Sequence, residues 1–207
     1  MDHPILTYTK DAKELVIDSK EVLRYLGYGR EKITEEDKAM VEKLLPEAVS
    51  VMHPRACYGR YELSFDEGNV IQLPYGTITS RDLTRNLMGC QELFLFAATI
   101  GPAFDTLIKK KRLTSVAEAC VLQSVGAAAV EDFVENLCAF LSQEVQKEGY
   151  TTRPRYSPGF GDVPLNNQVG LFKTLQPAKY AGITLMDTLI MAPEKSVTAY
   201  VGIMKEK

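Results

Sequence analysis

The sequence predicts an α+β protein built on a mixed or antiparallel twisted sheet with flanking helices. Three observations carry this. The hydrophobic period changes from helical to two-residue alternation at Ala56. A continuous apolar run from Glu92 to Ile100 is bounded by Gly89 and Gly101. A long helical stripe then begins at Ser115.

Residues 1–34 carry no sustained period apart from one short helix. Its start is Asp18-Ser19-Lys20-Glu21, its apolar side is Val22, Leu23, Tyr25 and Leu26, and Gly27 ends it. A second helix starts at Thr34-Glu35-Glu36-Asp37. Met40, Val41, Leu44, Leu45, Ala48, Val49 and Met52 recur along it, and Pro46 stands where it can kink or divide it. From Tyr58 to Phe65 alternate residues are polar. Asp66-Glu67-Gly68-Asn69 then reads as the turn of a hairpin returning through Val70–Leu73. Ser80 reads as the N-cap of a short helix to Leu87.

The run Glu92–Ile100 is predicted to be a central strand covered on both faces. Pro102 suits the first turn of the following helix, over 102–112. Its Lys109-Lys110-Lys111-Arg112 end complements the helix dipole. The stripe from Ser115 to about Gly149 is the longest helix, with a break possible at Gly126. A Pro- and Gly-rich loop over Thr151–Pro164 follows, then a helix over Leu165–Leu175. Strand-like segments come at Gly182–Leu185, Thr188–Met191 and Ser196–Met204. Residues 1–114 and 115–207 read as two parts of one compact domain.

With 207 residues, the chain is long enough to bury roughly two thirds of its unfolded surface without a staple. Its net charge is −3, so no clustered cationic groove for nucleic acid is implied. Cys57, Cys90, Cys120 and Cys138 form no CxxC unit, and the last three read as small buried hydrophobes. With only His3 and His53, no metal site is expected. No apolar stretch is long enough to span a membrane, and the first residues lack a secretory pattern. The expected location is the cytoplasm. Dinucleotide and P-loop glycine motifs are absent, as is a GxSxG elbow. No catalytic residue stands out.

The strongest local signal is Arg153-Pro154-Arg155-Tyr156-Ser157-Pro158-Gly159-Phe160-Gly161-Asp162-Val163-Pro164. Prolines stiffen it and glycines permit close approach. Arg155 offers a bidentate grip on a carboxylate, and Tyr156 and Phe160 offer flat faces. A structural crossover is the competing reading. Glu131 and Glu135 lie one helical turn apart beside the small residues Ser124 and Ala128. They form either a solvated face or a negative complement to an ammonium or sulfonium.

Arg155-Tyr156-Ser157-Pro158-Gly159-Phe160 resembles the Arg-Pro-Ala-Pro-Gly-Tyr segment with which the activation domain of cobalamin-dependent methionine synthase binds S-adenosylmethionine. Ala128–Glu135 resembles that domain's Ala/Glu-rich helix. Gly182-Ile183-Thr184-Leu185, Met191-Ala192-Pro193 and Ser196-Val197-Thr198-Ala199 resemble its Gly-x-x-Leu-Thr, Met-x-Pro and Ser-Val-Ser-Gly segments. The match covers residues 120–204, and the first half looks like stand-alone relatives of the domain.

The resemblance implies an S-adenosylmethionine-binding partner for reductive reactivation of a synthase that lacks its own activation domain. On this reading the chain is part of a methyltransferase activity rather than a complete enzyme. A flavodoxin-like or other electron donor is implied, with cobalamin carried only by the partner, since Asp-x-His-x-x-Gly is absent here. Arg155 would grip the methionyl carboxylate, backbone near Ser157 and Gly159 would hold the adenosine, and Phe160 stands where the family has Tyr. Glu131, Tyr156 and Tyr200 complete the implied ligand set, Tyr200 being the displaced counterpart of the family's Trp-Tyr. Gly161-Asp162-Val163-Pro164-Leu165 replaces the family's Pro-x-Cys-Pro-Glu. A ligand-free docking module on a cobalamin domain is the alternative.

Overall fold

The computed structural model describes residues 4–27 and 34–206. His3 and Tyr28 lie outside them. The chain runs β1 (Leu6–Thr9), α1 (Ser19–Tyr25), α2 (Glu35–Ser50), β2 (Arg55–Glu62), β3 (Ser64–Asp66), β4 (Val70–Leu73) and β5 (Gly76–Thr79). It continues through α3 (Arg81–Asn86), β6 (Glu92–Thr99), α4 (Pro102–Thr114), α5 (Val116–Gln146) and β7 (Tyr150–Thr152). Last come α6 (Asn167–Leu175), α7 (Pro177–Tyr180), β8 (Thr184–Leu185), β9 (Met191–Ala192) and β10 (Ser196–Lys205).

Five strands form one sheet in the order β1-β2-β6-β10-β7, and every neighbouring pair is antiparallel. β6 is central, and seven of its eight residues, Leu93 to Thr99, are buried. That is why its sequence reads as an unbroken apolar run rather than an alternation. One face of the sheet (Ala56, Tyr58, Phe94, Phe96, Ala98, Ala199 and Val201) packs against α1, α2, α4 and α5. The other face (Cys57, Tyr61, Leu93, Leu95, Ala97 and Tyr200) packs against the β3-β4-β5 sheet, α3 and α6. The α+β class with an antiparallel sheet and flanking helices is the observed one.

Local signals place the helix starts. Asp18 accepts from Lys20 N, and Thr34 forms a reciprocal capping box with Asp37. Ser80 accepts from Leu83 N, and Ser115 from Glu118 N. Lys111, in the basic end of α4, ion-pairs with Glu47 at 2.8 Å and Glu118 at 3.4 Å.

Several expectations are corrected. Pro46 does not divide α2, because Val41, Leu44 and Ala48 on the same helix are all buried in the core and hold the turns on either side. α5 is unbroken at Gly126, which is instead the point of closest packing. A Cβ there would collide with the Phe104 ring and lie 3.1 Å from the Lys195 stem.

The alternation over 58–65 is not one strand. β2 ends at Glu62, Leu63 N bonds Gln91 O at 3.0 Å, and β3 begins the second sheet. β4 pairs onward with β5, a strand that the sequence reading left out. Thr188–Met191 is strand only at its last residue. Cys120 is exposed and Cys138 half-buried; only Cys57 and Cys90 are buried. Cys120 sits on the outer side of α5, next to buried Ala119 and Val121, so its apolar neighbours in sequence do not surround it in space. Among the described residues, no helix is long and apolar enough to cross a membrane.

Candidate functional site

After β7 the chain continues along the edge of β10. Arg153 N donates to Gly202 O at 2.8 Å, and Tyr156 and Tyr200 exchange both backbone hydrogen bonds. Residues 153–156 therefore behave as an extension of the sheet edge, and successive side chains go to opposite faces. Arg155 reaches α5, where its Nη2 is ion-paired with Glu131. Tyr156 packs against the core on the other face.

Beyond Tyr156 the loop closes on itself and on α3. Phe160 N donates to Ser157 O (3.3 Å), Val163 N to Phe160 O (3.0 Å) and Gly159 N to Val163 O (2.9 Å). The Tyr156 hydroxyl donates to Phe160 O at 3.3 Å. Gly159 and Gly161 adopt φ of +89° and +52°. At Gly161 a Cβ would collide with the Tyr156 hydroxyl and lie 2.6 Å from Asp82 Oδ2, so this turn requires glycine.

Asp162 anchors the far end. Its carboxylate accepts from the Ser80 hydroxyl, from Arg81 N at 2.8 Å and from Asp82 N at 3.2 Å, and so caps the α3 N-terminus from outside. The Ser80 hydroxyl bond, followed by those amides, holds its carboxyl below the ordinary range. Arg153 fastens the other end of the same helix. Its Nε donates to Asn86 O at 2.8 Å, while Asn86 Nδ2 donates to Pro154 O at 3.0 Å. Neither Asp162 nor Arg153 was assigned a site role from sequence. The signal for each lies in α3, about 70–80 residues away along the chain.

The structure brings Arg155 and Glu131 together, and separately Tyr156, Ser157, Gly159 and Phe160. Phe160 is 67 % exposed at the loop tip. Tyr200 is 0 % exposed, and its hydroxyl is 2.7 Å from that of Tyr75. Its ring is buried in the core rather than open to a ligand, and its backbone pairs with Tyr156. The grip on a ligand carboxylate that the resemblance implies for Arg155 meets a guanidinium already engaged with one protein carboxylate. Its Nε and Nη1 carry no hydrogen bond among the described residues.

Glu131 also lines a cleft of about 420 Å³ between α1 and α5. Asp18, Glu21, Asp132 and Glu135 add four more carboxylates, against the single cation Arg24 among the described residues. Most are already committed. Asp18 caps α1, Glu21 binds Arg24 at 2.7 Å, and Asp132 accepts from Val16 N at 3.1 Å. Glu135 has no ion-pair partner among the described residues.

No protein-family model matches the chain, and no curated protein matches it. Among solved structures it is similar to the crystal structure of the MetH reactivation domain bound to AdoHcy. The TM-score is 0.68, with 14 % sequence identity over 99 % of this chain and 79 % of that one. At this identity the likeness is one of fold, and the α+β architecture described above is the architecture of that domain.

Proposed function

We propose that the chain binds an S-adenosyl compound, and that it serves as the reactivation partner of a cobalamin-dependent methionine synthase core lacking such a domain. The observation that supports the reading is a segment in a fold. Arg155–Phe160, which resembles an S-adenosylmethionine-binding sequence, runs from the sheet edge into a self-closing loop, and the fold is one otherwise seen with AdoHcy bound.

Arg155, through the nitrogens that Glu131 leaves free, holds the amino-acid carboxylate. Backbone at Ser157 and Gly159 holds the adenosine portion beside Phe160. Glu131 and Glu135 face the ligand's positive charge. Methyl transfer belongs to the cobalamin that the partner carries, after reduction by a flavodoxin-like or other donor. This chain supplies binding and orientation. Titration calorimetry with S-adenosylmethionine and S-adenosylhomocysteine tests the first step. Saturable heat is expected for both, and absence of heat at millimolar ligand sinks it.

The alternative is a ligand-free module that docks on a cobalamin domain by shape. The Arg155–Glu131 pair and the self-satisfied loop favour it. Capture of a synthase core with and without S-adenosylmethionine separates the two. Equal capture selects the docking module.

A further inference from the structure

Helix α3 holds both ends of the segment that contains Arg155–Phe160. At its N-terminus the Asp162 carboxylate accepts from the Ser80 hydroxyl and from the Arg81 and Asp82 amides. At its C-terminus Arg153 Nε donates to Asn86 O, Arg153 Nη2 donates to Arg85 O at 3.5 Å, and Asn86 Nδ2 donates back to Pro154 O. One helix of 6 residues thus brackets the candidate ligand-binding residues from outside.

The helix is a firm seat. Leu83 and Leu87 are fully buried, and Ser80 N donates to Asn69 O at 3.0 Å, which ties the helix start to the β3–β4 turn. The Ser80 hydroxyl also accepts from Leu83 N at 3.0 Å, so one side chain joins the helix cap to Asp162. At the other end, a Cβ on Gly202 of β10 would lie 2.8 Å from Leu87 Cδ2 and 3.2 Å from Arg153 Cγ. Glycine there lets both side chains lie close against the strand.

The loop's own bonds do not do the same work. The hydrogen bonds among Ser157, Gly159, Phe160 and Val163 give the loop its shape but stay within it. The Tyr156–Tyr200 pairing fixes its start on the sheet, and the buried Val163 adds an apolar contact at its end. Beyond Tyr156, among the described residues, Asp162 supplies the polar attachment of 157–163 to the rest of the protein.

We infer that α3 is a clamp that positions Arg155–Phe160 for its ligand, with Arg153 and Asp162 as positioning residues that act through the loop. The inference rests on the S-adenosyl reading of that segment. A loop already held in its binding shape loses less freedom when the ligand arrives, so the clamp contributes to affinity without touching the ligand. Both ends are fastened to one short helix, so the two attachments work as a unit. Releasing either end frees the segment between them, and releasing the second adds little.

S-adenosylhomocysteine, titrated calorimetrically into the full chain, tests this in the wild type, Asp162→Asn, Arg153→Lys and the double variant. Each single variant should raise the Kd about tenfold. The double variant should stay within about threefold of the singles, whereas independent contacts would multiply to about a hundredfold. Hydrogen exchange on the ligand-free chain gives a second readout. The Gly159, Phe160 and Val163 amides should be protected in the wild type and exchange faster in both single variants. The wild-type arm of that measurement needs no variant to fold. No binding by the wild type sinks the S-adenosyl reading, and this inference with it. Binding by the wild type with an unchanged Kd in either single variant, with multiplying costs, or with these amides unprotected in the free wild type overturns the clamp alone.

Discussion

Tyr156 and Tyr200 donate to each other's carbonyls, at 2.9 and 2.8 Å, and so turn an irregular loop into an edge of the main sheet. The alternation imposed there decides what each side chain can do. Arg155 faces the helical layer and Tyr156 the opposite core, so a six-residue motif serves two faces of the protein at once.

The anchor under this edge is the Tyr75–Tyr200 hydroxyl pair. Tyr75→Phe should cost about 1–3 kcal/mol, because the Tyr200 phenol is left buried without its partner. Burial raises both phenol pKa values, that of Tyr75 from 10.0 to about 12. The unfolded chain releases these protons first as pH rises, so the folded state is the one that retains them. Stability from this source is whole below pH 10 and declines from there toward pH 12. Urea unfolding across that interval checks it. An equally steep decline in a Tyr75→Phe, Tyr200→Phe double variant would remove the assignment to this pair.

Asp162→Asn should loosen the loop from α3 and lower the urea midpoint at neutral pH. The folded-state pKa of this carboxyl is depressed, chiefly by the Ser80 hydroxyl bond. Its contribution is therefore present above the ordinary carboxylate pKa and lost as pH falls through the depressed folded value. The gap between wild type and variant should narrow on acidification below the ordinary value of 3.8. A gap that stays constant with pH would show that the charge plays no part.

How far the sequence reveals this site follows from where its constraints reside. Capping residues Asp18, Thr34, Ser80 and Ser115 act within one turn, so they are readable locally, as is the doubly covered β6. The short strands β1, β5 and β7 are not. Each has three or four residues, and each exists because a neighbour supplies its partner groups. The same limit applies to side-chain partners. Arg155 reads as a free cation, because the carboxylate that claims it lies 24 residues back. Tyr200 enters the implied ligand set by resemblance alone, and only the register of β10 against β6, where it stands opposite Leu95, shows its side chain buried.

Gly161→Ala should destabilise the fold by about 1–2 kcal/mol from its left-handed φ of +52° alone. The collision with the Tyr156 hydroxyl adds to this. Gly159→Ala meets only the Leu165 side chain, at 3.1 Å, and should cost less. Chemical denaturation of the two variants gives the order, and a Gly159 variant that loses more would contradict the close packing assigned to Gly161.

Arg155→Lys distinguishes ligand recognition from structural support. The Arg155–Glu131 pair is partly exposed, with side chains 28 and 36 % accessible, so its loss should change stability by no more than about 1 kcal/mol. Lysine keeps the charge but not the planar fork. If the fork holds the ligand's carboxylate, the Kd for S-adenosylhomocysteine rises about tenfold or more while the urea midpoint barely moves. A purely structural pair predicts the reverse, a lower midpoint with an unchanged Kd. Measured on one preparation by calorimetry and denaturation, these two responses cannot both follow from the same role.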